Sequence, residues 1–343
     1  MADNLLLFGD NLQGLQYLLD ERKLYGQVDL VYIDPPFSTG TNFTITKERS
    51  STISSSLDGE IAYRDTLKGT DFIEFLRKRL LLIKKLLSSK GSIYLHIDYK
   101  IGHYVKIMMD EVFGLNNFRN DITRVKCNPK NFQRIGYGNI KDMILFYTKA
   151  SKPIWHEPVD HYTSEDIVRL FPKIDAKGRR YTTIPLHAPG ETRKGQSMLP
   201  FNGIYPPKGR HWRTNIDQMI QWNEEGLIEW SENGVPRKII YAEDRIGKRK
   251  QDIWDYKDPQ YPVYPTEKNI DMLNSIIQTS SNEGSIVLDC FCGSGTTLEA
   301  AQLNGRKWIG IDESKIAINV VEKRMSNVKS NIFQNDGYEK ISL

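Results

Sequence analysis

The stretch Val28-Asp29-Leu30-Val31-Tyr32-Ile33 runs directly into Asp34-Pro35-Pro36-Phe37. A short, nearly continuous apolar run of this kind reads as a strand buried on both faces, which requires a parallel sheet with helices packed above and below it. The two prolines stop the strand by withholding backbone donors. The tetrapeptide therefore sits at the carboxyl edge of the sheet, where open α/β folds bind ligands. Its rigidity brings one carboxylate (Asp34), one carbonyl (Pro35) and one aromatic ring (Phe37) to the same space. A planar base with an exocyclic NH₂ would be held by the two acceptors and stacked on the ring. The plainer alternative is a turn whose Phe37 only plugs the core.

The pattern around this strand is α/β. Strands are expected at Asn4–Phe8, Ser92–Ile97 and Met143–Tyr147, with helices over Leu12–Leu19, Phe72–Leu87 and Tyr104–Phe113. Ser38–Asp58 is rich in Ser, Thr and Gly, lacks periodicity and reads as a mobile loop that closes over substrate. From about Ser151 to Asp258 the texture changes: prolines, basic residues and every tryptophan but Trp308 collect there without clean alternation. Alternation then resumes, with helices at Asn269–Thr279, Thr296–Leu303 and Lys315–Met325 and strands at Ser285–Asp289 and Trp308–Ile311. The expected organisation is one α/β domain in two halves, residues 1–150 and 259–343, interrupted by an inserted region over 151–258.

At 343 residues, 39% hydrophobic and 26% charged, the chain can bury a sizeable core. The N-terminus lacks the basic start of a secretion signal, and no apolar run approaches the ~18 residues of a membrane span. Three cysteines give no disulfide framework, and Cys290 and Cys292 lack the further ligands that structural zinc requires. These features point to the cytoplasm, with no metal and no membrane partner. Net charge is +4, but Asn120–Lys250 holds 23 Lys and Arg against 15 Asp and Glu, a net of +8 that leaves −4 for the remainder. A basic middle segment fits a polyanionic partner, although a solvated surface with a chance excess would look the same.

A second constellation lies near the C-terminus. Ser285–Asp289 is followed by Cys290-Phe291-Cys292-Gly293-Ser294-Gly295-Thr296-Thr297, and the next strand ends at Gly310-Ile311-Asp312. This order of strand, acid, glycine turn and helix lets the backbone approach a ligand, and Asp312 stands where an acidic side chain can accept ribose hydroxyls. The turn is neither G-x-G-x-x-G nor a Walker loop, so a nucleoside other than a dinucleotide is favoured over an ordinary βα turn.

Taken together these residues resemble the permuted β group of DNA amino-methyltransferases. That family carries Asp-Pro-Pro-Tyr/Phe first, a target-recognition segment in the middle and the cofactor motif last. Further matches are Phe8-Gly9-Asp10-Asn11, Gly91–Asp98, Tyr264-Pro265-Thr266-Glu267-Lys268 and, in the middle, Gly203–Trp212, which is similar to modification subunits of restriction–modification systems. The resemblance implies a Rossmann-like fold that binds S-adenosylmethionine and double-stranded DNA. Asp34, Pro35, Pro36 and Phe37 would be catalytic. Asp289, Phe291, Gly293 and Gly295 would line the cofactor, Asp312 would bind its ribose, Asp10 and Asn11 would meet its adenine, and Thr266 and Lys268 would contact its methionine end. A companion restriction endonuclease and a homodimer are partners that such systems include.

The methyl acceptor implied is the N6 amine of a flipped-out adenine. Relatives acting on the cytosine N4 amine tend to have Ser where Asp34 stands, so Asp leans towards adenine. RNA methylation and a catalytically inactive DNA-binding relative are the more distant alternatives. Neither Cys290 nor Cys292 has the Pro-Cys setting of a ring-carbon methylase. Arg193, Lys194, Lys208, Arg210 and Arg213 are the first candidates for DNA contact, and Arg245, Lys248, Arg249 and Lys250 the second. The Arg210-His211-Trp212 cluster could instead be a structural knot beneath the recognition surface, because Trp is often buried.

Overall fold

The computed structural model describes residues 4–36, 42–45, 50–51, 60–64, 69–129, 135–190, 195–262, 264, 267–328 and 337–343. The chain forms two compact units, one of residues 1–158 with 251–343 and the other Val159–Lys250. The second unit falls inside the inserted region read from the sequence. None of the described helices is long and apolar enough to cross a membrane.

The larger unit is built on nine strands: β1 (Asn4–Phe8), β2 (Val28–Ile33), β3 (Leu87–Ile97), β4 (Phe118–Val125), β5 (Lys141–Thr148), β6 (Ile253–Asp255), β7 (Ile286–Asp289), β8 (Lys307–Asp312) and β9 (Tyr338–Ser342). Their order is β6-β4-β5-β3-β2-β7-β8-β1-β9. Each neighbouring pair is parallel except β3–β5 and β4–β5, so β5 alone is reversed. Side chains alternate between the faces. Leu5, Leu7, Val31 and Ile33 join a core with α1 (Asn11–Asp20), α2 (Thr70–Leu86) and α3 (Tyr99–Phe113). Leu6, Leu30 and Tyr32 join the other core with α4 (Ile270–Ser280), α5 (Thr296–Leu303) and α6 (Lys315–Asn327). The result is the three-layer, Rossmann-like arrangement expected of a sheet buried on both sides.

Three departures from the sequence reading have local causes. β4 reads Phe-Arg-Asn-Asp-Ile-Thr-Arg-Val and lacks an apolar rhythm, because Arg124 occupies one of its buried positions. Residues 42–45 and 50–51, inside the expected structureless loop, form a small antiparallel sheet with residues 60–64 just beyond it; alternation in Asn42-Phe-Thr-Ile45 and Ile61-Ala-Tyr63 supplies the β-formers. The rest of Ser38–Asp58, and with it the expected lid movement, lies outside the described residues. The smaller unit has more order than its sequence suggested. Lys173–Ile174, Arg180–Pro185, Pro236–Tyr241 and Ile228–Trp230 make a four-stranded antiparallel sheet, and Leu186, Phe201, Trp212 and Met219 form its core.

Candidate functional site

The central strands β2, β7, β8 and β1 lie side by side and point the same way, so the turns after them share one edge. Four acids collect at that edge: Asp34 after β2, Asp289 closing β7, Asp312 closing β8 and Asp10 after β1.

The glycine turn is held by two of these carboxylates. Asp289 accepts the Phe291 N–H at 3.0 Å and the Thr297 hydroxyl at 2.6 Å. Asp312 accepts the Gly293 N–H at 2.8 Å and the Ser314 N–H at 2.9 Å. Burial, incompletely offset by these bonds, pushes the Asp289 carboxyl up to about 7 and the Asp312 carboxyl up to about 6. Both glycines are left-handed, but for different reasons. A Cβ on Gly295 (φ 76°) would stand 2.8 Å from Val321 Cγ2, so this residue brings α6 against the turn. A Cβ on Gly293 (φ 48°) would make ordinary contacts, with the buried Tyr264 ring at 3.6 Å and the Phe291 carbonyl at 3.9 Å.

Asp10 caps α1, accepting from Leu12 N at 2.9 Å and Gln13 N at 3.1 Å. Its other oxygen takes Arg79 Nη2 at 3.0 Å. Arg79 also donates to the Asn11 side chain, whose amide donates to the Cys290 carbonyl at 2.9 Å. The guanidinium lies over the Phe75 ring, 3.4 Å from its centroid, and Phe75 in turn meets Phe291 at 6.2 Å. Arg79 was missed by the sequence reading. Its signal is a lone arginine on the apolar face of α2, between Leu76 and Leu80, all three buried.

Asp34 is nearly enclosed. Its Oδ2 receives Lys268 Nζ at 2.6 Å, while Oδ1 is buried and makes no hydrogen bond to a described residue. Lys268, placed by the resemblance at the methionine end of a cofactor, is thus drawn onto the Asp-Pro-Pro turn. Pro35 is buried and Pro36 half-buried. Phe37 and Thr266 lie outside the described residues. Behind the turn, Tyr32, His96 and Asp142 cross the sheet in one hydrogen-bonded line. The Tyr32 hydroxyl meets His96 Nδ1 at 2.8 Å, and His96 Nε2 meets Asp142 at 3.2 Å. Burial lowers the pKa of His96, so the ring is neutral: it accepts from Tyr32 and donates to Asp142. Lys126 closes the line on Asp142 at 2.6 Å. None of this chain's alternation of apolar residues announces the line, because its polar members sit at core positions.

The basic residues of the smaller unit divide into two sets. Trp212 is fully buried and donates Nε1 to the Leu199 carbonyl at 2.9 Å. Arg210 donates to His187 at 3.0 Å, and Arg213 donates to the His187 carbonyl at 3.1 Å. Burial, followed by the charges of Arg210, Arg213 and Arg237, lowers the pKa of His187 and keeps it an acceptor. Much of the Arg210–Trp212 cluster is therefore structural. Lys248 pairs with Asp166 at 2.6 Å and Lys250 with Asp160 at 2.8 Å. Lys208, Arg213, Arg245, Lys248 and Arg249 are exposed. Arg193 and Lys194 lie outside the described residues. The unit carries 16 Lys and Arg against 12 Asp and Glu, a net of +4; the other half of the basic excess, 7 against 3, lies in Asn120–Pro158 of the larger unit.

The family model described as "DNA methylase", of the N6/N4 class, matches residues 28–323. Type II methyltransferase M.EcaI of Enterobacter cloacae is 38% identical over 94% of this chain and 69% of its own length. The Mod subunit of the type III restriction-modification enzyme StyLTI of Salmonella typhimurium is 26% identical over 87% of this chain; the match spans half of that subunit. Among solved structures, TTHA0409 of Thermus thermophilus, complexed with S-adenosyl-L-methionine, shares the fold with a TM-score of 0.50 at 14% identity, covering 99% of this chain and 98% of that one.

Proposed function

This chain belongs to the N6/N4 family of DNA methylases, and from that premise we propose that it transfers a methyl group from S-adenosylmethionine to N6 of an adenine flipped out of duplex DNA. The observation that carries the reading is the state of Asp34. One oxygen is paired with Lys268, and the other is a buried acceptor that receives no hydrogen bond from the described residues. Such an atom is costly unless a ligand donor completes it.

The amine of adenine is a weak nucleophile, because its lone pair is delocalised into the ring. Asp34 Oδ1 and the Pro35 carbonyl, accepting its two hydrogens, draw the nitrogen towards tetrahedral geometry and offset the positive charge that develops. S-adenosylmethionine, when bound, supplies the electrophilic methyl. The residues at the glycine turn suit its nucleoside: the Phe291 ring is half-buried, Gly293 leaves the backbone open, and the Asp312 oxygens keep lone pairs for ribose hydroxyls. Asp289 and Gly295 hold the turn, and Asp10 and Asn11, latched by Arg79, form its neighbouring wall. Thr266 and Phe37 complete the assignment by their place in the motifs. The remaining work is alignment of the reacting atoms.

Reading of the DNA sequence is assigned to Val159–Lys250, with Lys208, Arg213, Arg245, Lys248 and Arg249 as candidate contacts among its exposed cations. Single-molecule sequencing of DNA from cells expressing the protein tests the proposal. N6-methyladenine in one motif is expected. N4-methylcytosine would overturn the choice of base, and unmodified DNA would overturn the activity.

A further inference from the structure

We propose that Lys268 is the positioning residue for Asp34, fixing the orientation of that carboxylate rather than serving mainly the cofactor. The inference rests on the reading of Asp34 as the acceptor for the target amine.

The terminal torsion of an Asp side chain is broad, so a carboxylate held by nothing samples many orientations. With Oδ2 fixed on Lys268 Nζ at 2.6 Å, the direction of Oδ1, which no described residue reaches with a hydrogen bond, is fixed as well. Lys268 can impose this because its backbone is anchored on both sides. Glu267 pairs with Arg324, and Asn269 caps α4, accepting from Asp271 N at 2.9 Å and Met272 N at 3.1 Å. Asn269 also donates to the Lys257 carbonyl at 3.0 Å.

The ammonium also places a positive charge 2.6 Å from Asp34 Oδ2, on the side of the carboxylate away from Oδ1.

The test compares Lys268→Met, Lys268→Arg and Asp34→Asn with the double variant Asp34→Asn/Lys268→Met. Single-turnover methyl transfer is followed at saturating S-adenosylmethionine and DNA, and cofactor affinity is measured by calorimetry. Lys268→Met is expected to lose at least about tenfold in single-turnover rate while cofactor affinity stays within about threefold, the size of effect expected when a preorganised electrostatic contact is lost. Lys268→Arg should restore part of the rate. In the Asp34→Asn background the methionine substitution should cost little, since the residue it serves is gone. The proposal is overturned if the loss resides in cofactor affinity with the saturated rate intact, or if it is the same with and without Asp34. Should Lys268→Met fail to fold by circular dichroism, Lys268→Gln enters the same cycle and is read the same way. A fully active Asp34→Asn would instead overturn the reading of Asp34 itself.

Discussion

The side chain of Asp312, at the end of β8, accepts the backbone N–H of Gly293, in the turn after β7, at 2.8 Å. Two neighbouring strands are thereby tied at the point where a nucleoside would lie, and the tie is made by an acid that burial holds up at about 6. The partner acid, Asp289, is held up at about 7 against an ordinary value of 3.8.

This pair predicts an unusual pH dependence of the free protein. An acid whose folded pKa exceeds its unfolded one keeps a proton in the native state that the unfolded chain releases. The associated stability is fully present below about pH 4 and is lost as pH rises through about 7. Asp289→Asn stays neutral throughout. The stability of wild type minus that of Asp289→Asn should therefore fall across this window, by at most about 4 kcal/mol. Urea denaturation near each end of the window measures it, and an unchanged difference would show that Asp289 is ionised in the fold.

The two glycines of the turn should separate under alanine substitution. Gly295→Ala drives a Cβ to 2.8 Å from Val321 in a left-handed backbone, and a loss of about 2–4 kcal/mol in folding stability is predicted from overpacking and backbone strain together. Gly293→Ala meets only ordinary contact with Tyr264, so its stability loss should stay near 1 kcal/mol, the backbone term alone. Its main effect should be weakened S-adenosylmethionine binding by calorimetry. Equal thermal shifts in the two variants would contradict this division.

Asp34→Ala should remove turnover and spare cofactor affinity, because the residues assigned to the nucleoside lie on other strands. A loss of at least about 10²-fold is expected, comparable with removal of an oxyanion donor. Radiolabelled methyl transfer to DNA gives the measurement, and near-normal turnover would end the assignment.

In the smaller unit, Lys208→Ala and Arg245→Ala are predicted to weaken binding to all DNA sequences and to lower the salt dependence by about one unit each, as phosphate contacts do. Arg210→Ala, which leaves His187 without its donor, should show in stability by about 1 kcal/mol. A relaxed motif at one position after either exposed substitution would mark a base contact instead. If exchanging Val159–Lys250 with a related enzyme's segment left the methylated motif unchanged, recognition would have to lie elsewhere.

Much of this was legible in the sequence because burial on two faces leaves a continuous trace. β2 was found at its observed bounds, and so were β1 and α5. β4 and the line Tyr32–His96–Asp142 were not legible, because a polar residue placed in a core by hydrogen bonding looks like one placed on a surface by hydration. The same ambiguity hid Arg79. Lys268 was singled out, but its partner could not be, since sequence spacing says nothing about which of four acids on one edge a lysine reaches. In Ser151–Asp258, short antiparallel strands with one face wet give weaker periodicity than parallel ones.

The junctions of the smaller unit have a consequence for how such enzymes diversify. On the way out, Ile154 N bonds the Lys90 carbonyl at 3.0 Å and His156 N bonds the Thr279 carbonyl at 2.8 Å. On the way back, Thr123 N takes the Asp252 carbonyl, Asp258 N takes the Lys126 carbonyl, each at 2.8 Å, and Arg124 grips the Tyr256 carbonyl at 2.7 Å. Both stems are clamped within the larger unit, to β3, α4 and the end of β4, before the insertion starts and after it ends. On the proposed assignment of Val159–Lys250 to DNA reading and of Asp34 to the chemistry, exchange of the chain between these two short junctions would change the reader and leave the chemistry in place.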